Sequence, residues 1–108
     1  MDNVIFIIFQ YSCKVDGIFT IDEISGAITT QALNKRGVNI PEEIQIIGFT
    51  NGILSRYSTP PLTSVNRFAH TSGEIAARRL IDKIEEKIPF EDNTTEIIKT
   101  KLVERNST

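Results

Sequence analysis

An α/β fold built on a mostly parallel sheet flanked by helices is what this sequence predicts, and three observations predict it. Short runs rich in Val, Ile and Phe, at 4–11, 17–21 and 44–49, have strand length and little alternation, the pattern of strands buried on both faces. A helix-like stretch bounded by start and stop signals separates the second run from the third. A longer amphipathic stretch follows at about 70–87. Strands alternating with helices imply parallel pairing through right-handed crossovers.

Each element has local reasons. Residues 4–9, VIFIIF, fall far short of the roughly 20 residues that span a bilayer. They lack the basic flank and small-residue cleavage site of a signal peptide. A buried strand is therefore expected, and a cytoplasmic chain. GIFTI (17–21), opening on a glycine, reads as a second strand. Asp22 can then cap a helix whose first turn Glu23 favours. The helix should run to about Arg36 and stop at Gly37, with Pro41 just beyond. IQIIGF (44–49) is a third strand, and Thr50-Asn51-Gly52 is turn chemistry. Pro60-Pro61 blocks regular structure, and LTSV (62–65) reads as extended. Ile75, Ala76, Leu80, Ile81, Ile84 and Ile88 form one stripe of the 70–87 helix, which Pro89 ends. Residues 96–105 read as a last extended segment.

Composition narrows the function classes. A chain of 108 residues suits one small domain. With 40% hydrophobic and 24% charged residues its balance is that of an ordinary globular protein. The net charge of -2 gives no pull toward nucleic acid. Cys13 is the sole cysteine, so no internal disulfide can form, and neither it nor the single His70 stands in a metal-ligand spacing. No Gly-rich phosphate loop, nucleophile elbow or His/Cys/carboxylate cluster is present, so neither an enzyme nor a cofactor or metal site is expected.

Six segments in order carry a resemblance: DGIFTIDE (16–23), QAL (31–33), RGVNIPEEIQIIGFTNG (36–52), PPLTSV (60–65), GEIAARRLID (73–82) and LVERNST (102–108). Together they resemble the lac-repressor/gal-repressor family of bacterial transcription regulators over about residues 16–108. Residues 1–15 look atypical for it. The resemblance implies the C-terminal part of a two-lobed, periplasmic-binding-protein-like (type I) effector domain, with a sugar or sugar derivative bound between the lobes. In intact members a helix-turn-helix binds the operator; this chain carries no such module, and no direct nucleic-acid or membrane binding is expected of it. The family's chain crosses between lobes near PPLTSV. The 70–87 helix is therefore expected to belong to the otherwise missing N-terminal lobe, and its unmatched stripe to drive dimerisation or other self-association.

In open α/β sheets ligands sit beyond the carboxyl ends of the strands, where 22–23 and 50–52 fall. The resemblance places Glu23, counted back from Gly37 without a gap, at the family's ligand-contacting acidic position. A carboxylate there accepts strong bonds from sugar hydroxyls, although Glu23 would equally favour the positive end of its helix. Asp22 is a candidate contact or a helix cap. Thr50 stands where many members have Asp, and keeps a donor and an acceptor, or is a plain turn residue. Arg56 and Tyr57 are rim candidates or plain surface residues. The adjacent Arg78 and Arg79 do not share one helix face and read as solvated. A fragment of a periplasmic-type sugar-binding protein shares the fold, and a non-functional truncated remnant is a further alternative.

Overall fold

The computed structural model describes residues 14–108, so the expected strand at 4–11 and Cys13 lie outside the described residues. The elements are β1 (Gly17–Thr20), α1 (Glu23–Lys35), β2 (Gln45–Gly48), α2 (Ile53–Tyr57), β3 (Thr63–Asn66), α3 (Ala69–Ile84) and β4 (Lys101–Val103). Contacts divide the chain into two compact units. Among the described residues, one holds 14–66 together with 101–108, and the other holds 67–100.

The first unit is built on a four-stranded sheet in the order β1-β2-β3-β4. β1 and β2 pair in parallel from Gly17 opposite Gln45 to Thr20 opposite Gly48. β2 and β3 are parallel as well, and β4 returns antiparallel to β3, with Ser64 opposite Val103. The sheet is thus mostly parallel, as its strand–helix–strand order predicts. The 96–105 expectation was too long. β3 offers a partner only to Lys101–Val103, and a strand exists only where a ladder can form.

α1 begins and ends where its sequence signals lie. The Asp22 carboxylate accepts the Ser25 N–H at 2.7 Å and caps the first turn. At the other end Arg36 closes the helix, and Gly37 takes the left-handed φ of 73° that glycine adopts without steric cost. The face α1 buries is Gly26, Thr29, Thr30 and Leu33, at i, i+3, i+4 and i+7. Small residues and threonines let the helix approach closely: a Cβ added at Gly26 would lie 2.9 Å from Leu62 Cδ1 and 3.0 Å from Thr20 Oγ1. Thr30 satisfies its buried hydroxyl by donating to the Gly26 carbonyl at 2.8 Å.

The core beneath this face is Leu33, Ile44, Ile46 and Leu62, with Ile18, Ala32, Val38 and Ile40 packed around it. Each large buried aliphatic contributes about 1.5–3 kcal/mol. The C-terminal residues complete the sheet where β2 and β3 have not yet met. The Ile46 N–H donates to the Ser107 carbonyl at 2.9 Å. The fully buried Ser107 hydroxyl donates to the Ile46 carbonyl at 2.6 Å and accepts the Thr63 N–H at 2.8 Å.

In the second unit α3 ends at Ile84, three residues before the expected stop at 87. The reason is local to the helix end: the Glu86 N–H returns to the Lys83 carbonyl at 3.2 Å and closes the last turn, ahead of the backbone restriction that Pro89 places on Ile88. Glu86 turns the chain at φ 56°, and the Lys87 N–H returns to the Asp82 carbonyl at 2.9 Å. Arg79 is not merely solvated: it pairs with Asp92 at 3.0 Å, while Arg78 is exposed. Lys83 donates to the Phe90 carbonyl at 2.7 Å and lies 5.4 Å from that ring's centre. No residue of α3 is buried, and His70 lies exposed, 3.6 Å from Glu74.

Candidate functional site

Because β1 and β2 run parallel and in register, their carboxyl ends coincide, and the segments following them lie side by side. Thr20 ties the two ends together. Its carbonyl accepts the Phe49 N–H at 2.9 Å, and its hydroxyl lies 3.1 Å from the Asp22 carbonyl and 3.4 Å from that of Ile47. The rings of Phe19 and Phe49 meet at the same end, 6.0 Å apart between centres and tilted.

Three of the residues singled out by sequence stand at this edge, each with a partner. Asp22 is engaged in capping: its carboxylate accepts both the N–H and the hydroxyl of Ser25. The Ser25 N–H is the chief cause that holds the Asp22 carboxyl below its ordinary value. Glu23 sits in the first turn of α1, where a carboxylate suits the helix dipole, and also reaches across to the next loop. There it accepts the Leu54 N–H at 3.2 Å. Thr50 donates its hydroxyl to the Phe49 carbonyl and accepts the Ser55 hydroxyl on its own carbonyl at 2.9 Å.

The loop holding Thr50 is followed by α2, a single helical turn where the sequence analysis assigns no element. Its first residues carry no cap of their own: Gly52 has no side chain, and the Leu54 N–H is satisfied by Glu23, 31 residues away. No local signal marks such a helix. Arg56 and Tyr57 are exposed on it, consistent with surface placement. A groove of about 700 Å³ between α1 and α2 is lined by Ile24, Ala27, Gln31, Asn34 and Tyr57 among others, but not by Asp22, Glu23 or Thr50.

Two residues at this edge were missed by sequence reasoning. Asn51 accepts a bond from the Arg105 guanidinium at 2.6 Å, and Arg105 comes from the terminal LVERNST segment, 54 residues on. Gly52 makes room for Glu23. Among the described residues no group of His, Cys, Asp and Glu is arranged to hold a metal ion. Among them, too, no helix is long and apolar enough to cross a membrane.

Comparison with known proteins agrees with this architecture. Residues 9–108 match the family model of the periplasmic binding protein-like domain. The ribose operon repressor of Halalkalibacterium halodurans is 36% identical over 87% of this chain, which covers 28% of that protein. A periplasmic binding protein/LacI transcriptional regulator from Alkaliphilus metalliredigens, solved with D-xylulofuranose, superposes with a TM-score of 0.75 at 35% identity, over 86% of this chain and 34% of that one. The transcriptional regulator CelR in complex with cellobiose superposes with a TM-score of 0.81 at 27% identity, over 94% of this chain and 30% of that one. The chain spans between 21% and 31% of the length of the first curated relatives it matches. With the whole described sheet, the six ordered segments and these matches in agreement, the chain belongs to the lac-repressor/gal-repressor family through its periplasmic binding protein-like domain.

Proposed function

We propose that this chain is ligand-sensing material of a LacI-type transcription regulator, and that a sugar or sugar derivative is the effector it helps to bind. The observation that carries the reading is the meeting of Glu23 and the Thr50-Asn51-Gly52 loop at the shared carboxyl end of β1 and β2, bridged by the Glu23–Leu54 bond. In this reading Glu23, Asp22 and Thr50 face the effector. Glu23 accepts sugar hydroxyls through charge-assisted bonds, Asp22 contributes whatever acceptor capacity capping leaves, and Thr50 offers a neutral donor and acceptor. The relatives solved with a pentulose and with a disaccharide set the ligand class to try first. The role is binding and signalling, not catalysis, and the chain acts without a cofactor or metal.

The remaining features fit the same reading. α3 belongs to the other lobe of a two-lobed effector domain, so its apolar stripe is covered there or by a second copy of the chain. The stretch itself does not bind duplex DNA, given a net charge of -2, and it works in the cytoplasm, where such a regulator meets its operator.

Titration with D-ribose, D-xylulose and cellobiose, followed by thermal shift and calorimetry, tests the proposal. At least one sugar is expected to raise the melting temperature, and Glu23→Gln to weaken that sugar by about tenfold or more, the worth of one bond to a charged group. Binding undiminished in Glu23→Gln, or no response to any of the three, would overturn it.

A further inference from the structure

Arg105 joins three segments that are far apart in sequence. Its Nη1 donates to the Leu62 carbonyl at 2.7 Å and to the Ser64 hydroxyl at 3.3 Å, both at the start of β3. Its Nη2 donates to Asn51 Oδ1 at 2.6 Å, in the loop after β2. Its backbone N–H donates to the Thr63 hydroxyl at 2.9 Å. Each guanidinium bond goes from a cationic donor to a neutral oxygen. Such charge-assisted bonds are the strong kind, and the planar fork fixes the directions in which they point.

The three bonds are not equivalent. β3 and β4 are already held by their backbone ladder, by the contacts to Leu62 and Ser64, and by Ser107. The bond to Asn51 adds nothing to that ladder; it orients the loop. Asn51 lies between Thr50 and Gly52, so fixing it fixes the residue on one side that offers a hydroxyl and the residue on the other that receives the Glu23 carboxylate. Arg105 also follows directly on β4, and β3 and β4 are the two strands through which the chain leaves and re-enters the first unit.

We propose that Arg105 is a positioning residue for the 49–52 loop, acting through Asn51, and that it ties the geometry of that loop to β3 and β4. The proposal rests on reading this loop as effector-contacting, but its test does not need a ligand. The readout is backbone amide hydrogen exchange by NMR, comparing the Leu54 amide, which depends on loop and Glu23 geometry, with the core amides of Leu33 and Ile46.

Asn51→Ala removes the loop's acceptor and leaves the Leu62 and Ser64 contacts in place. It is expected to speed Leu54 exchange about tenfold, the worth of one charge-assisted bond, and to lower the melting temperature by no more than that one bond accounts for. Arg105→Lys keeps the charge but not the fork, and is expected to give the same local effect. The double variant should loosen the loop no further than either alone, because both remove one interaction. Asn51→Asp supplies a carboxylate and should restore or slow Leu54 exchange only while Arg105 is present. Native Leu54 exchange in Asn51→Ala, or core exchange accelerated more than that of Leu54, would overturn the proposal. Sugar titration of the same variants separates the two claims. A loosened loop with no sugar response anywhere defeats the effector reading and keeps the clamp. An unchanged loop in a chain that binds sugar defeats the clamp alone.

Discussion

A methyl group placed on Gly52 would stand 2.2 Å from the carboxylate oxygens of Glu23, so the absence of a side chain in the loop after β2 is what admits the carboxylate from the first turn of α1. Gly52 has φ -99°, a value open to any residue, so its conformation does not require glycine; the space does. Gly52→Ala is therefore expected to fold, because the obstructing group is the free end of a flexible side chain that can swing aside. The stability change should stay within about 1 kcal/mol, with the entropic gain of replacing glycine offsetting the lost bond. The Leu54 amide should lose its acceptor and exchange faster. Chemical denaturation and amide exchange check this together. A loss of stability well beyond that range would mean that Glu23 has nowhere else to go and is a structural strut.

How far the sequence could be read depends on the range of the interactions. α1 was legible at both ends because its signals are local: Asp22 bonds three residues ahead, and Gly37 supplies a backbone angle on its own account. Its buried face was not, since Gly26, Thr29 and Thr30 carry no hydrophobic signal and the closeness they permit is visible only against Leu62 and Thr20. The candidate site divides the same way. Asp22, Glu23 and Thr50 follow from where parallel strands end. Asn51 and Arg105 meet across 54 residues, and α2 takes its cap from Glu23, 31 residues away; neither leaves a trace in spacing.

Ser107 offers the sharpest stability test. Its hydroxyl is fully buried, accepts the Thr63 N–H at 2.8 Å and donates to the Ile46 carbonyl at 2.6 Å. Ser107→Ala removes both bonds and leaves a buried amide without a partner, at a cost of about 1–3 kcal/mol. Exposed Asn106 next to it should tolerate alanine with a change of less than about 0.5 kcal/mol. Equal denaturation midpoints for the two variants would show that water replaces the hydroxyl and that the terminal segment does not close the sheet.

Acid should weaken the fold through two carboxylates. Asp22, bonded chiefly to the Ser25 N–H, and Asp92, bonded chiefly to the Thr94 hydroxyl, both titrate below the ordinary 3.8. A folded-state value below the unfolded one means that the unfolded chain binds the proton first. The stabilisation is therefore complete above 3.8 and is lost as the pH falls through the lowered folded-state values. Asparagine caps helices as well as aspartate does but does not titrate, so Asp22→Asn should keep α1 at neutral pH and flatten the acid side of the curve. A melting-temperature profile from neutral to strongly acidic pH checks the sign. A stability that rises on acidification through that window would contradict the assignment.

The stripe of α3 gives the last prediction. Leu80, Ile81 and Ile84 are 57%, 51% and 69% exposed, and no residue of the helix is buried. Side chains of this size gain about 1.5–3 kcal/mol each when fully covered, and contiguous apolar surface of this kind marks a place of interaction. Among the described residues these side chains stay more than half exposed, so the stripe should draw a second copy, and the chain should associate at micromolar concentration in sedimentation velocity. Leu80→Ser together with Ile84→Ser should weaken the association. The double substitution should lower the melting temperature of the dissociated chain only slightly, because both side chains are more exposed than covered. A monomer throughout the concentration range, destabilised by the pair of serines, would mean instead that the helix docks on its own chain in solution, and the assignment of α3 to another lobe would fall with it.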